Sequence, residues 1–207
     1  MTTQTLKKWQ KMKLDDLGSV ERGRSRHRPR NDAILYGGQY PFIQTGDVKN
    51  ANLYIDSYSQ TYNENGLAQS KLWDIDTLCI TIAANIAESA ILKIPACFPD
   101  SIVSFRSYEG KSDIRFVKYL LDVLKEHFLQ ISKGTTQDNL SLEKILSITF
   151  KVPEFGDHCP QARGGGGGKK STEYRVPRQI LYSPIRANRR MTVKTVVTTL
   201  RETRVIF

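Results

Sequence analysis

Residues 77–134 read TLCITIAANIAESAILKIPACFPDSIVSFRSYEGKSDIRFVKYLLDVLKEHFLQISKG. The short apolar runs Thr77–Ala83, Glu88–Ile94 and Ser101–Arg106 predict strands. The period then changes. Ile114, Val117, Leu121, Leu124, Phe128 and Ile131 follow 3,4,3,4,3 spacing, which puts them on one stripe of an α-helix. Lys118, Asp122, Lys125 and Glu126 fall on the other side. Ser112 or Asp113 can cap the start, and Gly134 stands just past the end, where a left-handed residue closes a helix at little cost. Strands followed by a long amphipathic helix predict a folded α/β domain.

Working outward, further strands are predicted at Gln39–Thr45, Asn52–Ile55 and Ser147–Val152, with a short helix over Leu140–Leu146. Turn-forming clusters, such as Tyr36–Gly37–Gly38 and Asn63–Glu64–Asn65–Gly66, punctuate these segments. The chain of 207 residues suffices for one sizeable core, or one core with an appendage.

Charge is unevenly placed. The whole chain has 31 Lys+Arg against 21 Asp+Glu; residues 1–153 hold 20 and 17 of these, residues 154–207 hold 11 and 4. A net charge of +10 favours polyanionic partners, nucleic acid before anionic membrane. Residues 154–207 contain the run Gly164–Gly168, a flexible linker by composition, followed by Arg, Thr, Val and Pro without a sustained helical stripe. This tail is expected to be mostly disordered, with the composition of a fusion or frameshift product. Cys79, Cys97 and Cys159 are widely spaced, which suggests neither a disulfide framework nor a zinc ribbon, and Cys79 and Cys97 read as small buried hydrophobes. The first residues, MTTQTLKKWQKMKL, have no apolar segment of the secretory kind, and Leu78–Ala87 is half the length of a membrane span. A soluble protein of a reducing cytoplasm is expected.

Three features point to a ligand. The first is RGRSRHRPR, where Arg22, Arg24, Arg26, Arg28 and Arg30 occupy every second position. In an extended chain this spacing directs all five guanidiniums to one side, and Gly23 and Pro29 oppose a helix. Unpaired cations so arranged suit phosphates, and guanidinium forks can also read guanine edges. The second is the connection after the long helix, with Lys133, Gly134, Thr135, Thr136, Gln137 and Asn139: amides can bond adenine, and Thr offers a methyl or a hydroxyl. The third is the end of the Gln39–Thr45 strand, where polar Gln44 and Thr45 precede Asp47 and Lys49. Each has a plainer reading as a solvated loop or turn; for the second that reading is the stronger one taken alone, and for the third, where the signal is weak, the two are equally common.

Catalysis finds little support. GGGGGKKS fails the phosphate-loop spacing, since Lys stands at 170 where Ser or Thr is needed and Arg at 163 where Gly is needed. His27, His127 and His158 are far apart, and no metal set emerges. Neither the Asn/Asp-Pro-Pro-aromatic tetrapeptide of amino-methyltransferases nor an Asp…Glu-x-Lys nuclease cluster is present.

Together the segments GRSRHRP, YGGQYPFIQTGDVKNANLYI, YSQTYNENGLAQSKLW, TLCITIAANIAESAILKIPACFPDSIVSF and ISKGTTQDNLSLEKILSITFKVP resemble, in content and order, the target-recognition domain of type I restriction–modification specificity subunits. The resemblance covers residues 8–153. It implies an α/β (α+β) fold, a twisted mixed sheet with one long and one or two short helices, whose loops enter the major groove of double-stranded DNA. It implies no cofactor and no bond chemistry in the chain itself, and two partners: a modification subunit that uses S-adenosylmethionine and a restriction subunit. Carried over, the DNA contacts are Arg24, Arg26, Arg28, Arg30, Gln44, Thr45, Lys49 and the Lys133–Asn139 loop. The family usually continues past Val152–Pro153 into a long helical arm, where this chain has Glu154–Phe155–Gly156–Asp157 and the glycine tract. A half-length subunit is therefore expected, reading one half of a split site unless a homodimer restores the other. The alternative is a fragment that binds the modification or specificity subunits without reading DNA.

Overall fold

A computed structural model of the protein describes residues 9–133 and 140–153. The connection Gly134–Asn139 and the Gly-rich tail, on which two of the sequence expectations fall, lie outside the described residues.

In chain order the elements are β1 (Trp9–Met12), α1 (Leu14–Leu17), β2 (Gly18–Arg22), a 3-10 turn (Ala33–Leu35), β3 (Tyr36–Phe42), α2 (Thr45–Asn50), β4 (Tyr54–Ile55), β5 (Gln60–Tyr62), α3 (Glu64–Ala68), β6 (Leu72–Trp73), β7 (Leu78–Thr81), β8 (Ser89–Leu92), β9 (Ala96–Cys97), β10 (Ile102–Ser107), α4 (Ile114–Ser132), α5 (Leu142–Ser147) and β11 (Phe150–Pro153). The class is mixed α/β, with the strands shared among three sheets. The central sheet has the order β2-β10-β7-β8-β4, with β4 and β8 parallel and the other pairs antiparallel. A second sheet has the order β5-β3-β9-β6, and β1 pairs with β11 from Trp9↔Pro153 to Met12↔Phe150.

The central sheet is buried on both faces, which explains why β7 and β8 read as continuous apolar runs rather than alternating ones. Leu78, Ile80, Ile91, Val103 and Phe105 face Phe116, Val117, Leu121, Leu124 and Phe128 of α4. On the opposite face Cys79, Ala90, Leu92 and Ile102 pack with Val48, Trp73 and Phe98. Cys79 and Cys97 are both free and buried, as their apolar neighbours predicted.

The long helix starts where its sequence signal says. Asp113 is the cap, its carboxylate accepting from Arg115 N at 2.8 Å and Phe116 N at 3.3 Å. Its buried arc is wider than the expected stripe, since Phe116 and Leu120 are also inside. The reading of Lys118 as part of an outer polar side is corrected. It is 7% exposed, and its ammonium reaches both Asp122 oxygens, at 2.7 and 2.6 Å. The expected Gln39–Thr45 strand is corrected too: it runs from Tyr36 to Phe42, and Thr45–Asn50 is helical. Asp47 makes that helix start, accepting the Gln44 backbone N–H at 2.8 Å, while Val48 anchors it in the core. The described residues thus hold four short helices beside the long one.

Candidate nucleic-acid interface

The arginine-rich segment continues the edge strand β2 beyond the central sheet. Gly23 N donates to Ile102 O at 2.8 Å, Arg24 N to Phe98 O at 3.2 Å, and Arg26 N to the Gln69 side-chain oxygen at 2.6 Å. The backbone is therefore extended, and its alternation is real: Gly23 and Ser25 are buried, Arg22, Arg24 and Arg26 exposed. Gly23 is required by close approach, since a Cβ there would overlap the Pro99 carbonyl and meet the Phe98 ring at 2.7 Å. The Ser70 hydroxyl ties the Arg24 carbonyl at 2.8 Å. His27 N also donates to Gln69 Oε1, at 3.0 Å, and the His27 ring meets Asp32 at 2.9 Å. That hydrogen bond, helped by the Ile34 N–H, holds the Asp32 carboxyl below its ordinary value.

The expectation of five unpaired cations in one row is corrected. Arg30 donates to Asp100 Oδ2 at 2.8 Å, Arg28 lies 3.9 Å from the same oxygen, and Arg22 Nε donates to the Asp100 carbonyl at 2.7 Å. Arg28 also turns back onto the Ser25 and His27 carbonyls at 2.7 and 2.8 Å. A row of like charges is costly in isolation, and Asp100 relieves it at one end. Arg24 and Arg26 differ: among the described residues their guanidiniums have no hydrogen-bond or ion-pair partner. Asp100 and Gln69, which shape the segment, lie 70 and 43 residues from their partners Arg30 and Arg26, and no local pattern in the sequence marks them.

Of the other expected contacts, Gln44 has its amide committed to Gln60 Oε1 at 2.6 Å. Thr45 is half-buried in the first turn of α2 and Lys49 is exposed in its last. The neighbouring strand pair β3–β5 is braced by Phe42 stacked on the fully buried Tyr62 with ring centroids 4.0 Å apart. Burial pushes the Tyr62 hydroxyl up to about 12, so it stays neutral. Lys133 is exposed and caps α4, with Gly134, Thr135, Thr136, Gln137 and Asn139 outside the described residues.

Backbone bonds show how these parts relate. Ile43 N donates to Cys97 O at 2.8 Å, and Arg24 N to Phe98 O, so one stretch, Cys97–Phe98, joins the end of β3 to the arginine segment. Ile82 N donates to Ser101 O, and Leu140 N to Ile82 O, both at 2.9 Å. The connection from α4 therefore rejoins the sheet at the same end from which the arginine segment leaves. No group of His, Cys, Asp or Glu among the described residues could hold a metal ion, and no described helix is long and apolar enough to cross a membrane.

Comparison with known proteins gives the arrangement a lineage. An HsdS subunit from Thermoanaerobacter tengcongensis has a similar fold, with 13% identity and a TM-score of 0.54 over 72% of this chain and 34% of that one. The S subunit of a type I restriction–modification system from M. genitalium is similar at 14% identity and 0.52, over 74% and 36%. A third similar chain, at 16% identity and 0.56 over 72% and 35%, comes from a study of complex assembly and conformational transition of the type I R-M system. At these identities the likeness is one of fold, and this chain spans about a third of the length of each. In sequence, the family described as type I restriction modification DNA specificity domain matches residues 6–158. With the match spanning most of its length, the chain belongs to the type I restriction modification DNA specificity domain family.

Proposed function

We propose that residues 8–153 form one DNA-recognition module of a type I specificity subunit, which selects a few base pairs of double-stranded DNA and brings a modification and a restriction subunit to them. The module itself makes and breaks no bond; its part in the reaction is position. Residues 154–207 serve as a linker and basic tail.

The observation that carries this reading is the pair Arg24 and Arg26. Two exposed guanidiniums without partners among the described residues project from a backbone pinned at Gly23, Arg24 and Arg26. Pinning lowers the entropic cost of placing them against phosphates, and the family membership supplies the class of ligand. Arg28 and Arg30, partly neutralised by Asp100, set the far end of the same row. Lys49, Thr45, Gln44 and the Lys133–Asn139 loop are the further contacts of the reading, with one amide N–H of Gln44 already donated to Gln60.

The test is selection of binding sites from a random duplex pool with the purified chain, followed by titration against salt. The expected result is one short selected sequence and an affinity that falls steeply with salt. Absence of affinity at low ionic strength would defeat the reading.

A further inference from the structure

The β7–β8 hairpin holds three of the four non-glycine residues at positive φ among the described residues. Ala84, Asn85 and Ala87 have φ of +45°, +33° and +63°. This is the left-handed region, where glycine is free of penalty and alanine is not. The strain is held in place rather than relaxed. Thr81 N donates to Glu88 O, and Ala87 N to Thr81 O, both at 2.9 Å, while the Thr81 hydroxyl donates to the Asn85 carbonyl. Ile86 packs against the core beneath α4, and Lys125 clamps the Glu88 carboxylate at 2.9 Å. The Asn85 side chain, by contrast, is half-buried with no hydrogen-bond partner among the described residues, and Ala84 is exposed. Strain maintained by surrounding bonds, in a segment that reaches the surface at Ala84, is characteristic of functional sites.

The sheet register fixes where this tip lies. Arg22 is opposite Val103, Val103 opposite Ile80, and Ile80 opposite Ser89, one row across four strands. Strands β2 and β7 run in the same direction, so β2 leads into the arginine segment and β7 into the hairpin at one end of the sheet. With neighbouring strands about 4.8 Å apart, the two hairpin strands stand roughly 10 and 14 Å from the arginine strand. The DNA major groove is about 12 Å wide. With cations on the phosphates at one groove edge, the hairpin therefore stands about one groove width away, against the same groove. The carboxylates flanking this route, Asp100 and Glu88, are both ion-paired, which removes the repulsion they would otherwise exert on DNA.

We propose that the outer part of the hairpin tip, Ala84 and Asn85, reads bases, with the Asn85 amide contacting a base edge in the major groove while Arg24 and Arg26 hold the flanking phosphates. The amide's donor and acceptor match N7 and N6 of adenine, so adenine is the expected base. The inference rests on the DNA-binding reading above and deepens it.

The experiment uses the full chain and its Asn85→Gly and Asn85→Asp variants in random-pool selection, then titrates each against the selected duplex and a scrambled one. Glycine keeps the left-handed backbone while deleting the amide, and thermal melting by circular dichroism checks that each variant folds. The expected result for Asn85→Gly is about a tenfold or greater loss of preference at one base pair, with affinity for the scrambled duplex and the salt slope unchanged. Asn85→Asp, an acceptor only, moves the preferred base at that position from adenine towards cytosine. Unchanged base preference in both variants overturns the inference and leaves DNA binding by the chain standing. Equal weakening of Asn85→Gly on both duplexes also overturns it, because the residue then supports binding without reading sequence. A wild-type chain with no affinity for either duplex defeats the parent reading, and this inference with it.

Discussion

Replacing Arg24 and Arg26 together with alanine separates the free half of the arginine row from the half that Asp100 holds. Each phosphate contact on duplex DNA contributes about 0.9 to the slope of log affinity against log salt, so the pair contributes about 1.8. Between about 50 and 200 mM salt, the ratio of wild-type to variant affinity then shrinks by roughly 12-fold. Arg30→Ala changes the slope by less per residue, because its charge already lies 2.8 Å from Asp100. Asp100→Asn has the opposite sign: it releases Arg28 and Arg30, and the slope steepens by up to about 1.8 if both reach phosphates. Fluorescence anisotropy of a labelled duplex at four salt concentrations measures all four proteins. A wild-type slope in the Arg24→Ala/Arg26→Ala protein, or a shallower slope in Asp100→Asn, would refute the assignment of these cations to phosphates.

Three further outcomes follow from local geometry. Gly23→Ala forces a Cβ against the Pro99 carbonyl and the Phe98 ring; a loss of about 1–3 kcal/mol in urea denaturation is expected, with weaker DNA binding, and wild-type values for both would show that the close approach is not needed. Ala84→Gly removes a left-handed alanine worth about 1–2 kcal/mol, against a glycine entropy cost of about 0.5–1 kcal/mol; the denaturation midpoint should rise, and an unchanged or lower one counts against the strain. Burial pushes the Cys79 thiol far above its ordinary range and Cys97 up to about 11. Native alkylation at pH 8 should therefore spare both, as mapped by mass spectrometry, until denaturant is added; rapid labelling of either without denaturant would contradict their placement.

Much of the fold was legible because burial leaves a periodic trace. The apolar run of β7 and the cap and stripe of α4 declared themselves within a few residues of their true bounds. What stayed hidden depends on partners distant in sequence. Strand β6 exists because Leu72 pairs with Cys97 and Trp73 with Ala96, and β1 because Trp9 meets Pro153. Helix α2 runs over TGDVKN, a weak helix former with an interior glycine, and becomes helical through Asp47 at its start and Val48 in the core. The arginine row showed the same division. Its period of two was readable and gave the extended backbone correctly, but the counter-charge on Asp100 comes from the far side of a 70-residue excursion.

That division also explains why the candidate interface is composite. A sheet covered by α4 on one face and by the second sheet with α2 on the other has no face left for a large ligand, only edges and ends. Strand β10 carries the chain away from the end where the arginine segment leaves, and the 19 residues of α4, about 28 Å of helix, carry it back. The turn at Ile82–Ala87, the arginine segment after Arg22 and the return at Leu140 thus come to one end of the sheet through three separate stretches of sequence. Such a site divides its labour by rigidity. The arginine segment, anchored through its own backbone amides to Ile102, Phe98 and Gln69, can place charge without reading bases. The strained hairpin, fixed by Thr81, carries an amide with no partner among the described residues, and on the proposal above it does the reading. Changes at Arg24 or Arg26 should therefore alter how tightly DNA is held, and changes at Asn85 which DNA is held.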